Sequence, residues 1–307
     1  MKILACLKDR RYTIRNQLYF FGKFLAEKAD VVFFGHGHSD YRETDVLKEA
    51  KKVKPDIVLV EDNSQPRIMY WTNMEKLDIP KILFQIEDVH RLRERRIKII
   101  NGRKFDLLTS PLITELEPWK PHLNAPVHFI PHSTNVDFYK PRFDEREFDV
   151  IFRGATGRRI YPLRKRIVGF LESSKHIKHG WKKRPPGDYK FMNAQEEWLE
   201  YATALANSKI FMFGVGIYRK ALVKFWQGGA CKTMVMADEP YDMKENYLVP
   251  DENFVVINES NFKEKMEYYL EDEDERLRIV ENMYQTTMKH HNTEKVVEEF
   301  IKVLERA

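Results

Sequence analysis

Cysteine is nearly absent from this chain: its 307 residues hold two, Cys6 and Cys231. Two thiols so far apart form no disulfide framework, and neither has a Cys or His neighbour at zinc-like spacing. That usage fits a reducing compartment, and a cytoplasmic location is the expectation. No apolar run approaches the roughly 20 residues of a membrane-spanning helix, which leaves at most peripheral membrane contact. Met1 leads straight into an apolar strand pattern, without a signal-peptide pattern. No charge sign dominates either: 52 Lys and Arg stand against 47 Asp and Glu, interleaved, for a formal net charge of +5. A dedicated nucleic-acid binder would gather its basic residues on one face, so that class is disfavoured. A cleft holding anionic phosphates fits better. Internal repeats and low-complexity segments are also lacking.

What is present is a series of short, continuous apolar runs rich in Val, Ile and Phe. In the first half they are Lys2–Leu7, Val31–Phe34, Ile57–Val60, Lys81–Gln85, Leu107–Thr109 and Val127–Ile130. In the second half they are Asp149–Phe152, Lys209–Phe213, Thr233–Ala237 and Phe254–Ile257. Continuous rather than alternating runs are how strands buried on both faces read, and they imply parallel sheets with helical crossovers. Helical periodicity fills the gaps, as in Ile14–Glu27, Thr44–Val53 and Leu163–Leu171. The expected class is α/β, with two doubly wound parallel sheets. Pro141 and the charged run after it suit a linker, so a boundary is expected near Pro131–Glu147. The expected organisation is a Rossmann-like domain over 1–140, a second over 148–290, and a C-terminal helix in 291–307 that can cross back to the first.

In open parallel sheets ligands bind beyond the carboxyl ends of the strands. In the first half those ends carry Lys8, Asp9 and Arg10, then Gly35, His36, Gly37 and His38, then Glu87, Asp88 and His90. In the second half they carry Arg153, Gly154, Gly157, Arg158 and Arg159, then Gly214, Gly216, Arg219 and Lys220, then Asp238 and Glu239. The first half thus offers carboxylates and imidazoles, and the second glycines and cations. Glycines let backbone N–H groups approach an anion, and arginine supplies forked, permanently charged donors for phosphate oxygens. Arg158 or Arg159 is the expected diphosphate contact, with Arg164–Arg166 read as a solvated basic helix start. His36 and His38 stand close together, but no second cluster completes a metal site at recognisable spacing, so no metal is expected. Tyr19, Phe20, Phe21 and Phe24 read as helix core, and Glu271–Glu275 as a solvated helix start. His290 and His291 are expected to pack or cap before the final helix.

Two stretches carry a family resemblance. One is RKALVKFWQGGACKTMVMADEP (Arg219–Pro240); the other is MEYYLEDEDERLRIVENMYQTTMKHHNTEKVVEEFIKVL (Met266–Leu304). Both resemble the donor-binding domain of glycosyltransferases with the GT-B fold, the glycosyl transferases group 1 or family-4-like, in the spore-maturation-protein-like branch. Those proteins carry a helix of the form K-[YF]-F-E-A-x-A-x-G, a strand ending in Asp, and a helix with L-x-[DE]-x-[DE]-E-R. Lys224, Phe225 and Trp226 fill the first three places here, and Asp238 the last. The segment FIPHSTNVDFYKPRFDEREFDV resembles their interdomain connection, with Pro131, Val136, Asp137, Tyr139 and Pro141 in comparable places. The resemblance covers about half the chain well, from about Phe148 onward, and the first half by architecture alone.

The resemblance implies two Rossmann-like domains facing across a cleft, and a nucleoside-diphosphate sugar, UDP- or GDP-linked, as donor substrate. It implies no separate cofactor, and an unidentified glycan, lipid or protein as acceptor. The donor-site residues implied are Arg153, Gly154, Arg158, Arg159, Arg219, Lys220, Lys224 and Gln227. Many retaining members place two glutamates in an E-x7-E spacing where this chain has Arg219 and Gln227, and a glycine where it has Lys232. These departures keep a non-catalytic nucleotide-sugar or glycan binder, or a GT-B sugar-nucleotide epimerase, as alternatives. On the acceptor side Asp88 and His90 are the expected proton-handling residues, since a group held near the acceptor hydroxyl can take its proton. Asp88 has the rival reading of a helix cap, and His132 is the next candidate.

Overall fold

In a computed structural model of the chain, the structure describes residues 1–11, 16–38, 44–61, 71–87, 89–90, 92–157, 159–182 and 194–306. The chain divides into two compact units. The first comprises Met1–Arg11, Leu18–Pro131 and Val296–Ala307, and the second His132–Lys295 with residues 16–17.

The elements of the first unit are β1 (Lys2–Cys6), α1 (Asn16–Lys28), β2 (Asp30–Phe33), α2 (Val46–Val53), β3 (Ile57–Glu61), β4 (Lys81–Phe84), α3 (Arg93–Arg103), β5 (Leu107–Ser110), α4 (Ile113–Leu116) and β6 (Val127–Phe129). The strands form one six-stranded sheet in the order β2-β1-β3-β4-β5-β6, and every pair is parallel. Each expected apolar run of this half overlaps its strand, with ends that agree to within one residue. The strand direction of winding reverses between β1 and β3, the kind of place where an open sheet leaves a crevice for a ligand. Apolar clusters cover both faces of the sheet, which is why the runs are continuous rather than alternating. Asp45 caps α2 by accepting from Lys48 N at 3.0 Å.

The second unit contains β7 (Phe148–Ile151), α5 (Pro162–Ser173), α6 (Ala194–Ala206), β8 (Ser208–Phe213), α7 (Lys224–Ala230), β9 (Met234–Ala237), β10 (Val255–Val256), α8 (Phe262–Glu271) and α9 (Glu273–Thr286). Its sheet is four-stranded and parallel, in the order β10-β9-β8-β7. The L-x-[DE]-x-[DE]-E-R stretch has a physical role here. Asp272 caps α9 by accepting from Glu275 N at 3.1 Å, while buried Arg276 donates to Tyr269 O at 2.8 Å and so closes the carboxyl end of α8.

The last helix, α10 (Thr293–Leu304), carries Val296, Val297, Phe300 and Leu304 on one stripe. That stripe packs in the first unit, where the Phe300 ring lies 5.1 Å from Phe84 and 5.5 Å from Phe21. Phe20 and Phe21 are core, as their helical spacing suggests, but Tyr19 is only half-buried and lines a cavity. Among the described residues no helix is long and apolar enough to cross a membrane, and no group of His, Cys, Asp or Glu is arranged to hold a metal ion.

Candidate functional site

The carboxyl ends of β7, β8 and β9 emit three loops that hydrogen-bond to one another. The loop after β8 meets the loop after β7 where Ile217 N donates to Ile160 O at 3.0 Å. It meets the loop after β9 where Tyr241 N donates to Arg219 O at 2.5 Å and Arg219 Nε donates to Glu239 O at 2.9 Å. Gly216 makes the first approach possible. Its φ is +86°, and a Cβ there would stand 2.7 Å from both Ile160 O and the Tyr161 ring. Gly154 has φ +142°, and a Cβ there would stand 2.7 Å from the Lys224 Nζ. Gly157, by contrast, opens onto free space.

Asp238 sits at the end of β9 and accepts from Val215 N at 2.5 Å. Burial raises its carboxyl above the usual range, and the loop amides of Val215 and Gly216 pull it partly back. The family-like aspartate therefore shapes the β8 loop by gathering its N–H groups.

Arg164 departs from the sequence reading, which placed it on a solvated helix start. It is 4% exposed, its guanidinium lies 3.6 Å from the Tyr161 ring centroid, and it donates to Gly214 O at 2.5 Å and Ala155 O at 3.3 Å. The reason is helical phase. Leu163, Arg164, Ile167, Val168 and Leu171 form the inward stripe of α5, and at its first turn that stripe faces the strand ends. Burial among these groups lowers the Arg164 pKa. Arg166, one face further round, is exposed and pairs with Glu259 at 3.1 Å, as a solvated residue should.

The other donor-site candidates are placed as follows. Arg153 donates to Gly180 O and pairs with Glu200 at 3.1 Å. Lys224 donates to Arg153 O, with its ammonium 5.4 to 5.8 Å from the centroids of Phe213, Phe211 and Phe152. Arg219 pairs with Glu239 at 3.2 Å and lies over the Tyr241 ring at 4.8 Å. Lys220 is half-buried, 5.9 Å from the Tyr218 ring centroid. Gln227 is 5% exposed and accepts from the Tyr201 hydroxyl at 3.1 Å. Arg159 is exposed, with no hydrogen-bond or ion-pair partner among the described residues. Lys232 has a φ of +52°, the left-handed region that a glycine in its place would enter without cost, and pairs with Glu281 at 2.8 Å.

In the first unit His90 is exposed beyond β4. His132 belongs to the second unit and offers its backbone carbonyl to His291 Nδ1 at 2.9 Å. Asp88 and Arg158 lie outside the described residues. Sequence reasoning missed Arg164 and Tyr161 as organisers of the loops. The signal that could have found them was the apolar stripe of α5 passing through an arginine.

Residues 151–302, just under half of the chain, match the model of a family described as glycosyl transferase-like. No curated protein matches the chain in sequence. Among solved structures, the sucrose-phosphate synthase of Thermosynechococcus elongatus is similar with a TM-score of 0.72 at 11% identity, over 100% of this chain and 99% of that one. HepE of Anabaena, solved in complex with UDP-glucose, is similar with a TM-score of 0.69 at 9% identity, over 100% of both chains. The DNA-modifying enzyme beta-glucosyltransferase, solved in the presence and absence of uridine diphosphoglucose, gives 0.62 at 13% identity, over 99% of this chain and 100% of that one. The fold is GT-B, with two parallel-sheet α/β units.

Proposed function

We propose that this chain is a glycosyltransferase that moves a sugar from a nucleoside-diphosphate sugar, UDP-linked before GDP-linked, to a hydroxyl of its acceptor. The observation that carries this reading is the set of linked loops at the carboxyl ends of β7, β8 and β9, rich in glycine and cations, inside the span that matches the glycosyl transferase-like family. A GT-B neighbour solved with UDP-glucose supports the choice of base. In this reading Arg159, with Arg158 beside it in sequence, and Lys220 stabilise the charge that develops on the departing diphosphate, so the donor site works without a catalytic metal. Arg153, Lys224 and Arg219 build the loops, and Gln227 with Tyr201 fixes α7 beneath them. The spore-maturation-like branch is the proposed affiliation within the family.

A second reading has a specific observation behind it. Arg219 is held by Glu239 and Gln227 is buried against Tyr201, at the two positions where many retaining relatives place glutamates. That arrangement favours a protein that binds a nucleotide sugar without turning it over.

Incubation with UDP-glucose, and with a panel of other UDP- and GDP-sugars, separates the two. Release of nucleoside diphosphate above the uncatalysed rate supports the transferase. Tight binding of a nucleotide sugar with no release over many hours, with a range of hydroxyl compounds present, supports the binder.

A further inference from the structure

The crossover from β4 to β5 carries a concentration of charge that the donor site does not use. Residues 92–104 hold six Arg and Lys against one Glu, a net +5, as large as the formal net charge of the whole chain. The interleaving of charge gives way here.

Most of this stretch is α3, and its inner face is firmly held. Ile100 is buried, and Arg96, 7% exposed, has its guanidinium 5.0 Å from the Trp119 ring centroid and donates to Glu87 O at 3.0 Å. Asn101 donates to His122 O at 2.8 Å and accepts from Asn124 N at 3.0 Å. Arg103 pairs with Glu75 at 3.0 Å. With that face fixed, helical phase leaves Arg93, Arg95 and Lys98 exposed, and Lys104 at the C-cap joins them. Neither Lys98 nor Lys104 has an ion-pair partner among the described residues. The packing that rigidifies the helix therefore also presents its cations.

Leu92 is the second observation. It stands at the N-cap of α3 with φ +51°, in the left-handed region, and makes no side-chain cap bond. Asn would enter that region at less cost and could cap the helix as well. The side chain is 53% exposed. Among the described residues of the first unit the other exposed large apolar side chain is Met1, at 40%. Neither the helix start nor the core accounts for a leucine here, whereas a partner with an apolar layer does. Strained backbone of this kind clusters where something binds.

We infer that α3 is a docking face for an anionic lipid bilayer: Arg93, Arg95, Lys98 and Lys104 meet the headgroups, and Leu92 enters the apolar layer beneath them. Four exposed cations on one short helix are enough for electrostatic adsorption. The leucine favours a bilayer over a nucleic acid, whose interfaces are polar and wet. The inference goes beyond glycosyl transfer and does not rest on it.

The test is vesicle flotation of the whole chain with phosphatidylcholine alone and with phosphatidylcholine mixed with phosphatidylglycerol. The protein should float with the anionic vesicles and not with the neutral ones. Binding should fall between about 0.1 M and about 1 M salt, as the Debye length shrinks from about 10 Å to about 3 Å. Each cation near the surface is worth about fivefold in affinity, so Arg95→Glu/Lys98→Glu should bind at least about thirtyfold more weakly. If that variant melts early, Lys98→Glu/Lys104→Glu carries the same expectation. Lys165→Glu/Lys263→Glu makes the same charge change at exposed positions of the second unit and should bind like wild type. Leu92→Asn should keep or raise the melting temperature while weakening vesicle binding about tenfold. No binding to anionic vesicles, equal binding to neutral ones, binding unchanged in the α3 variants or in Leu92→Asn, or an equal loss in Lys165→Glu/Lys263→Glu overturns the inference. So does tighter binding to a mixed-sequence DNA duplex that the α3 variants abolish, which would assign the face to a nucleic acid.

Discussion

The Trp226 indole and the His291 imidazole lie face to face, with ring centroids 3.4 Å apart and planes 4° from parallel. Trp226 comes from α7, beneath the loops of the candidate donor site, and His291 from the π-helical turn Thr287–His291. Both are fully buried, and Trp226 Nε1 has no hydrogen-bond partner. Both nitrogens of His291 face backbone carbonyls, His132 O at 2.9 Å and Asn246 O at 3.1 Å. Two acceptors suit a doubly protonated ring, while burial pushes its pKa down to about 3, with those carbonyls opposing. No carboxylate is among the groups acting on it, so the neutral ring is the consistent state, donating to one carbonyl at a time.

That buried neutral histidine makes stability depend on pH. Below its ordinary value of 6.5 the unfolded chain binds a proton that the native ring refuses until about 3. The contribution is therefore complete above pH 6.5 and is lost as pH falls toward 3, at about 1.4 kcal/mol per pH unit. His291→Phe keeps a stacking ring but removes the titration and strands two carbonyls. It should be about 1–3 kcal/mol less stable at pH 7.5. In urea unfolding the gap to wild type should narrow steadily between pH 6.5 and 4.5, whereas a constant gap would show that His291 does not titrate in this way.

Glycine is needed at one position of the loops and not at another. Gly216→Ala forces a Cβ against Ile160 O at positive φ and should cost about 1–3 kcal/mol of stability, together with nucleotide affinity. Gly157→Ala meets open space and should leave both nearly unchanged. Thermal melts and UDP titrations of the pair check this, and equal behaviour would mean that the two loops do not approach as described.

Arg159 should act on the ligand and not on the fold. Arg159→Ala should weaken UDP binding by about 1–3 kcal/mol, as for a lost charge-assisted hydrogen bond, with the melting temperature of the ligand-free protein barely moved. Unchanged affinity for UDP would take Arg159 out of the site.

Gln227 is assigned to scaffolding through its bond from Tyr201. Tyr201→Phe leaves Gln227 Oε1 buried without its donor and should cost about 1–2 kcal/mol in urea unfolding. UDP affinity should hold. A large fall in affinity with little loss of stability would instead point to Gln227 as a ligand contact.

The strands were legible in the sequence because both sheets are covered on both faces, so each strand reads as an unbroken apolar run. Helix ends moved by a residue or two where caps decided them, as when Asp45 started α2 at Val46. The glycines and cations at the strand ends of the second unit were legible too. Which cations remain available was not, because that depends on partners distant in sequence: Glu200 for Arg153, Glu239 for Arg219, and the Arg153 carbonyl for Lys224. Arg164 was misread for a related reason. Three arginine and lysine residues in a row look solvated, but helical phase turned one of them inward.

The most direct measurement of the central claim is a calorimetric titration of the whole chain with UDP and with uridine, repeated with GDP and guanosine. Loops built to hold a diphosphate predict that at least one nucleoside diphosphate binds and that its nucleoside binds at least about tenfold more weakly, the difference of one charge-assisted hydrogen bond or more. At a hundred times its dissociation constant, that diphosphate should also stabilise the protein by about 2.7 kcal/mol. Neither diphosphate giving heat or a melting shift, or nucleosides binding as well as their diphosphates, would contradict the account.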